Sequence, residues 1–167
     1  MEIKTNHLMN QYLDRIGKDI TVISHPLNTE IHSVINADFL EMNDCITLKS
    51  LVNSNPEFSS DSQKCWWEYN ENHFHPDWQV IESKDEIEYL NVAIVCAVSL
   101  AKRLKGTYPS KSFRILVSFY ETDPNDPDSA IGSSTVRFYQ VRKDFTDEPG
   151  LRQLDRYQTD AILEITV

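Results

Sequence analysis

Residues 83–106 read SKDEIEYLNVAIVCAVSLAKRLKG, and the way this stretch folds decides the rest. Ile87, Leu90, Ile94, Ala97, Val98, Ala101 and Leu104 recur at helical spacing and form one broad apolar stripe. Val92, Val95 and Cys96 widen it until little of the middle is polar, as in a helix buried on more than one side. Ser83 with Glu86 three residues on has the spacing of a capping box, so a helix over about 84–105 is expected. Asp85, Glu86 and Glu88 at the start and Lys102, Arg103 and Lys105 at the end complement the helix dipole. Gly106 supplies a left-handed stop, with Pro109 soon after. The run free of formal charge, Tyr89 to Ala101, is thirteen residues. A bilayer needs about 20, so this is a core helix and no membrane partner is expected.

Working outward, 167 residues with 40% hydrophobic content suit one domain with a proper core, taken as 1–167. Four glycines leave little material for glycine-rich phosphate loops. The net charge of −10 disfavours direct nucleic-acid binding, because phosphates would be repelled, and favours a basic protein partner. Three cysteines without framework spacing, and an N-terminus without an apolar leader, point to a reducing, cytoplasmic setting.

Residues 5–16 have the pattern of an amphipathic helix, with Leu8, Tyr12, Leu13 and Ile16 on one side and Gly17 at its end. DITVISH at 19–25, TEIHSVINADFLEM at 29–42 and CITLKSLV at 45–52 are β candidates by their branched residues, the second with a bulge. Residues 53–63 are loop by composition. Residues 79–82 form a short strand candidate. SFRILVSFYE at 112–121 and STVRFYQVRKD at 134–144 alternate as a hairpin with a long acidic connector, and Leu116 implies burial on the second face too. A short helix is expected over 150–158, then a terminal strand, AILEITV, edge or inserted. The fold class is α+β: a mainly antiparallel sheet packed on the central helix.

Three constellations carry possible chemistry. Cys65, His73, His75 and Asp77 are metal-ligand types, and a Cys–His pair also makes a nucleophile, so a hydrolase-type or metal-dependent enzyme is one alternative. The cysteine lacks a paired neighbour and Pro76 interrupts the spacing, so no metal and no cofactor is assigned and the reading leans away from an enzyme. Glu121, Asp123, Asp126 and Asp128 suggest calcium, but a loop counted from Asp123 has Pro127 fifth, Asp128 sixth and Ser134 twelfth, which fails the EF-hand pattern. As a charged arm they would meet a basic partner instead. Trp66, Trp67, Tyr69, Phe74 and Trp78, with Glu71 among them, are either cover for a small domain or an interface. Arg114, Arg137 and Arg142 are weighed as an anion pocket against ordinary salt bridging.

The favoured expectation is a small acidic cytoplasmic binding or inhibitory protein. Its partner-binding residues are Trp66, Trp67, Tyr69, Glu71, Trp78, Glu121, Asp123, Asp126 and Asp128. In character alone, with no motif to carry it, the chain resembles the immunity proteins that neutralise bacterial nuclease toxins. The implied partner is a basic toxin or nuclease, with a second copy of the chain as a further candidate. A structural or oligomeric module without chemistry is the other alternative.

Overall fold

The computed structural model describes residues 1–17, 19–20, 23–52, 54, 56–76, 85–126, 128, 130–142, 154 and 157–167. The chain runs β1 (Glu2–Thr5), α1 (His7–Ile16), α2 (Thr29–Asn36), β2 (Phe39–Met42), β3 (Cys45–Leu48), α3 (Asp61–Glu71), β4 (His73–Phe74), α4 (Ile87–Thr107), β5 (Phe113–Tyr120), β6 (Ser133–Gln140) and β7 (Ala161–Thr166). Five strands form one sheet in the order β1-β7-β5-β6-β4, every pair antiparallel, and β2-β3 form a separate hairpin. The fold is therefore α+β, with the terminal strand inserted between β1 and β5.

α4 is the centre of the molecule. Leu90, Ala93, Ile94, Ala97, Leu100, Ala101 and Leu104 are fully buried, and they meet Phe113, Ile115, Val117 and Phe119 of β5, Val136 and Phe138 of β6, and Leu163 and Ile165 of β7. Alternation along these strands sends Leu116, Tyr139 and Ile162 to the opposite face, where Cys65 of α3 joins Leu116 and Tyr139 in a second cluster. α1 covers β7 through Met9, with Tyr12 edge-on to Phe119 at 4.9 Å. Gly17 closes α1 at φ 65° and donates its N–H to the Leu13 carbonyl, a left-handed position that suits glycine.

Several expectations need correction. The segment 29–42 is not one bulged strand. Asn28 caps a helix by accepting from the Ile31 N–H, and Ile31, Val34 and Ile35 lie on one helical face before β2 begins. Its last turn is held from outside, because Arg103 of α4 donates to the carbonyls of Ile35 and Ala37 and stacks over Phe39. The third β candidate is a strand only over Cys45–Leu48. It pairs with β2 across the two-residue turn Asn43–Asp44, whose φ values of 50° and 65° match the twist that tight hairpins require. No strand forms among the described residues of 19–25. The aromatic segment is helical over Asp61–Glu71, and Glu2–Thr5 is an edge strand that the sequence reading left out.

At the central helix, Gly106 lies inside the last turn, and Tyr108, whose N–H reaches the Leu104 carbonyl, ends it. At its start, Ile87 N–H donates to the Asp85 carboxylate, while the Glu86 side chain makes no cap bond. Ser83, the strand expected at 79–82, and all but a few residues of the helix expected at 150–158 lie outside the described residues. Among the described residues, no helix is long and apolar enough to cross a membrane.

Candidate functional site

The residues of the metal and nucleophile candidate do not converge. Cys65 points from α3 into the second cluster, where Sγ lies 3.4 Å from the Gln140 carbonyl and receives Arg142 Nη1 at 3.4 Å. His73, on the edge strand β4, sits against the Asn70 carbonyl, and His75 meets Thr135 Oγ1 at 3.2 Å. Asp77 is outside the described residues, and among those described no three ligand side chains stand together for a metal ion. Burial raises the Cys65 thiol above its ordinary value and drives Cys45 and Cys96 to about 12, so all three remain protonated.

What Cys65 does touch is a buried polar joint that the sequence reading missed. Glu68 is 0% exposed and accepts four hydrogen bonds. Oε1 takes the Ile46 N–H at 2.7 Å and Arg142 Nη2 at 3.1 Å; Oε2 takes the Gln140 N–H at 2.9 Å and Arg142 Nη1 at 2.7 Å. Arg142 Nη2 also donates to the Asp44 carbonyl at 2.7 Å, in the turn of the small hairpin. One helical turn on, Asn72 donates to the Ile46 carbonyl at 2.8 Å, and its own backbone carbonyl takes the Phe138 N–H at 3.2 Å. Glu68 and Asn72 thus occupy the free edge of β3 and the free edge of β6 beyond its pairing with β4. They join two sheets that share no strand pairing. Burial pushes the Glu68 carboxyl up, against the pull of Arg142, but four donors on its two oxygens fit only the ionised form. Burial works to lower Arg142, and the hydrogen bonds and charge of Glu68 override it and raise it. Every lone pair here is engaged, so this carboxylate is structural cement.

The arginine trio is dispersed in the same way. Arg142 belongs to Glu68, Arg114 Nε lies 3.8 Å from the buried Glu164, and Arg137 leans over the Tyr69 ring at 4.8 Å while donating to its carbonyl at 3.3 Å.

The interface candidates fall into two separate groups. Trp67 is cover: its indole N–H donates to Ser54 Oγ at 3.1 Å and its ring meets Phe58 edge-on at 5.6 Å. Tyr69 is half-buried against Tyr139, and Glu71 is half-buried. Trp66, 37% exposed, is the exposed aromatic of this helix, beside Tyr69 edge-on at 5.7 Å, and Trp78 is outside the described residues. The acidic connector leaves the other end of β6. Cys65 beside Gln140 and the connector at Ser133 are separated by eight residues of strand, about 23 Å at the usual rise.

The connector is held at its throat. Glu86 Oε2 accepts the Thr122 N–H at 2.7 Å, Oε1 accepts the Thr122 hydroxyl at 2.5 Å, and Gly132 N–H donates to Thr122 Oγ1 at 2.9 Å. A Cβ at Gly132 would lie 2.2 Å from Glu86 Oε2, so only glycine admits the carboxylate here. Glu121 is clamped by Arg15 through two bonds of 2.8 and 3.0 Å. Beyond the throat, Asp123 Oδ1 accepts the Asn125 N–H at 2.8 Å and Asp126 Oδ1 accepts the Asp128 N–H at 3.0 Å. Asp123, Asp126 and Asp128 are all exposed, and beside them Ile131 is 77% exposed.

No family model matches the chain, and neither a curated protein nor a solved structure matches it.

Proposed function

We propose that this chain works by binding: a small acidic protein that docks on a basic protein partner, of the type that neutralises a toxin or nuclease. The observation that supports the reading is the hairpin tip. Three exposed aspartates and an exposed isoleucine project together from a throat fixed by Glu86, Thr122 and Gly132. Acidic groups speed encounter with a basic surface, and an apolar side chain among them supplies contact that salt does not screen. The bonds that Asp123 and Asp126 accept from Asn125 and Asp128 restrain those residues before docking, which lowers the entropy they lose on it. Trp66, at the far end of β6, then belongs to a different surface from the tip. A reducing cytoplasm fits the three buried free thiols.

The test is capture of partners from the native host with wild-type protein and with a variant carrying Asp123→Asn, Asp126→Asn, Asp128→Asn and Ile131→Ala. A basic protein retained by the wild type and lost by the variant, with an association rate that falls steeply with salt, supports the reading. A partner held equally by both, with a rate indifferent to salt, removes the tip from the interface.

A further inference from the structure

The face of the sheet away from α4 carries a cavity of about 140 Å³, near the helix α3. Strand register lays out its walls. Thr135, Ser118 and Ile162 form one row across β6, β5 and β7, and Arg137 and Leu116 begin the next. Leu116 and Ile162 give it an apolar floor, Ser118 and Thr135 add hydroxyls, and Tyr69 and Tyr157 complete its lining. Burial, and then the neighbouring Tyr69 and Asp160, raise the Tyr157 phenol above its ordinary value, so it stays a hydrogen-bond donor.

Two opposite charges line this cavity without meeting. Arg137 is engaged only by Tyr69, through its carbonyl and its ring, and Asp160 Oδ1 takes only the Thr159 hydroxyl at 3.2 Å; neither has an ion-pair partner among the described residues. They approach from opposite corners, two strands apart and nearly four residues along, which is roughly 16 Å between Cα positions at ordinary sheet spacings. A half-buried cation and a half-buried anion, each without an ion-pair partner among the described residues and lining the same cavity, suit a ligand that carries both charges, well separated. The volume is close to the roughly 150 Å³ of an apolar cavity known to accept a benzene ring, so a body of that size fits here.

We propose that this cavity binds a small amino carboxylate whose ammonium and carboxylate sit at opposite ends of a flat or extended body. Arg137 takes the carboxylate, Asp160 the ammonium, and Tyr69 and Tyr157 flank the middle. The probe is 4-(aminomethyl)benzoate, compared with benzoate and benzylamine by calorimetry and thermal shift. The zwitterion binds, and each singly charged relative binds about tenfold more weakly or worse. Arg137→Gln and Asp160→Asn each weaken the zwitterion by about the same factor but with crossed preferences: Arg137→Gln favours benzylamine, Asp160→Asn favours benzoate. A purely structural role would not produce that crossing. Ser118→Leu, which fills the floor without touching either charge, abolishes binding. No heat and no thermal shift with the probe at millimolar concentration, or benzoate binding as well as the zwitterion, overturns the proposal.

Discussion

Replacing Glu68 with glutamine tests whether the joint between the two sheets is what holds the small hairpin down. Whichever way the new amide turns, its NH₂ group faces one backbone N–H and one guanidinium N–H, because each carboxylate oxygen now serves one of each. Removing one member of a buried ion pair costs about 3–5 kcal/mol. An orphaned buried N–H adds roughly 1–3 kcal/mol. Glu68→Gln is therefore expected to lose about 4–8 kcal/mol, a large share of the 5–15 kcal/mol of a typical domain. Arg142→Met strands the carboxylate instead and costs about 3–5 kcal/mol. The double variant leaves no buried charge, so its loss falls short of the sum by about 2–3 kcal/mol. Urea unfolding followed by tryptophan emission measures all four proteins, since Trp66 and Trp67 lie on the same helix as Glu68. Strict additivity, with a coupling under about 0.5 kcal/mol, would refute the reasoning and mean that water already solvates both groups.

Other expectations follow from single contacts. Native protein at pH 8 should leave Cys45, Cys65 and Cys96 unalkylated, and urea should expose all three, as mass spectrometry will count; rapid native labelling of any one contradicts its buried, raised state. Asn6, fully buried, caps α1 through the Met9 N–H and also binds the Ile162 N–H and the Asp160 carbonyl, so Asn6→Ala should cost roughly 2–4 kcal/mol in urea denaturation. Asp44 is lowered below its ordinary 3.8: burial acts to raise it, and bonds to Lys111 and Lys64 outweigh that. Its contribution is fully present above 3.8 and is lost as pH falls through the lower folded value. The gap in urea midpoint between wild type and Asp44→Asn should thus close below that range, and a gap constant down to pH 2 would show that the carboxylate is not held. Gly132→Ala should release the Glu86–Thr122 throat and speed amide exchange at Thr122 and Gly132 while the core amides of β5 keep their protection.

The elements legible in the sequence were those with a clean apolar period. The central helix, the β5–β6 hairpin and the terminal strand announce themselves, and Leu116 even signals the second face. α2 was hidden because its apolar residues, Ile31, Val34 and Ile35, are branched; their i, i+3, i+4 spacing and the Asn28 cap were the better signals. α3 was hidden for a different reason. Its inward stripe is Cys65, Glu68 and Asn72, too polar to register as a hydrophobic face. Only its cap was readable: Ser60 accepts the Gln63 N–H, and Gln63 reaches back to Ser59. The capping box of Ser83 with Glu86 falls partly outside the described residues, and what no local pattern encodes is that the Glu86 carboxylate binds Thr122, thirty-six positions away. The cavity was invisible likewise, since Arg137 and Asp160 come to line one space only through strand register.

The place of β7 has a consequence for how the molecule is made. β1, at residues 2–5, has its hydrogen-bonded neighbour in residues 163–166, and β5 is flanked by the same late segment. At about 5–20 residues per second of ribosomal synthesis, the earliest strand waits roughly ten to thirty seconds for its partner. β5, made about 45 residues before β7, presents one bare edge for roughly two to nine seconds of that wait. Closure of the sheet therefore waits for the late segment, and anything that captures that segment first would hold the five-stranded sheet open.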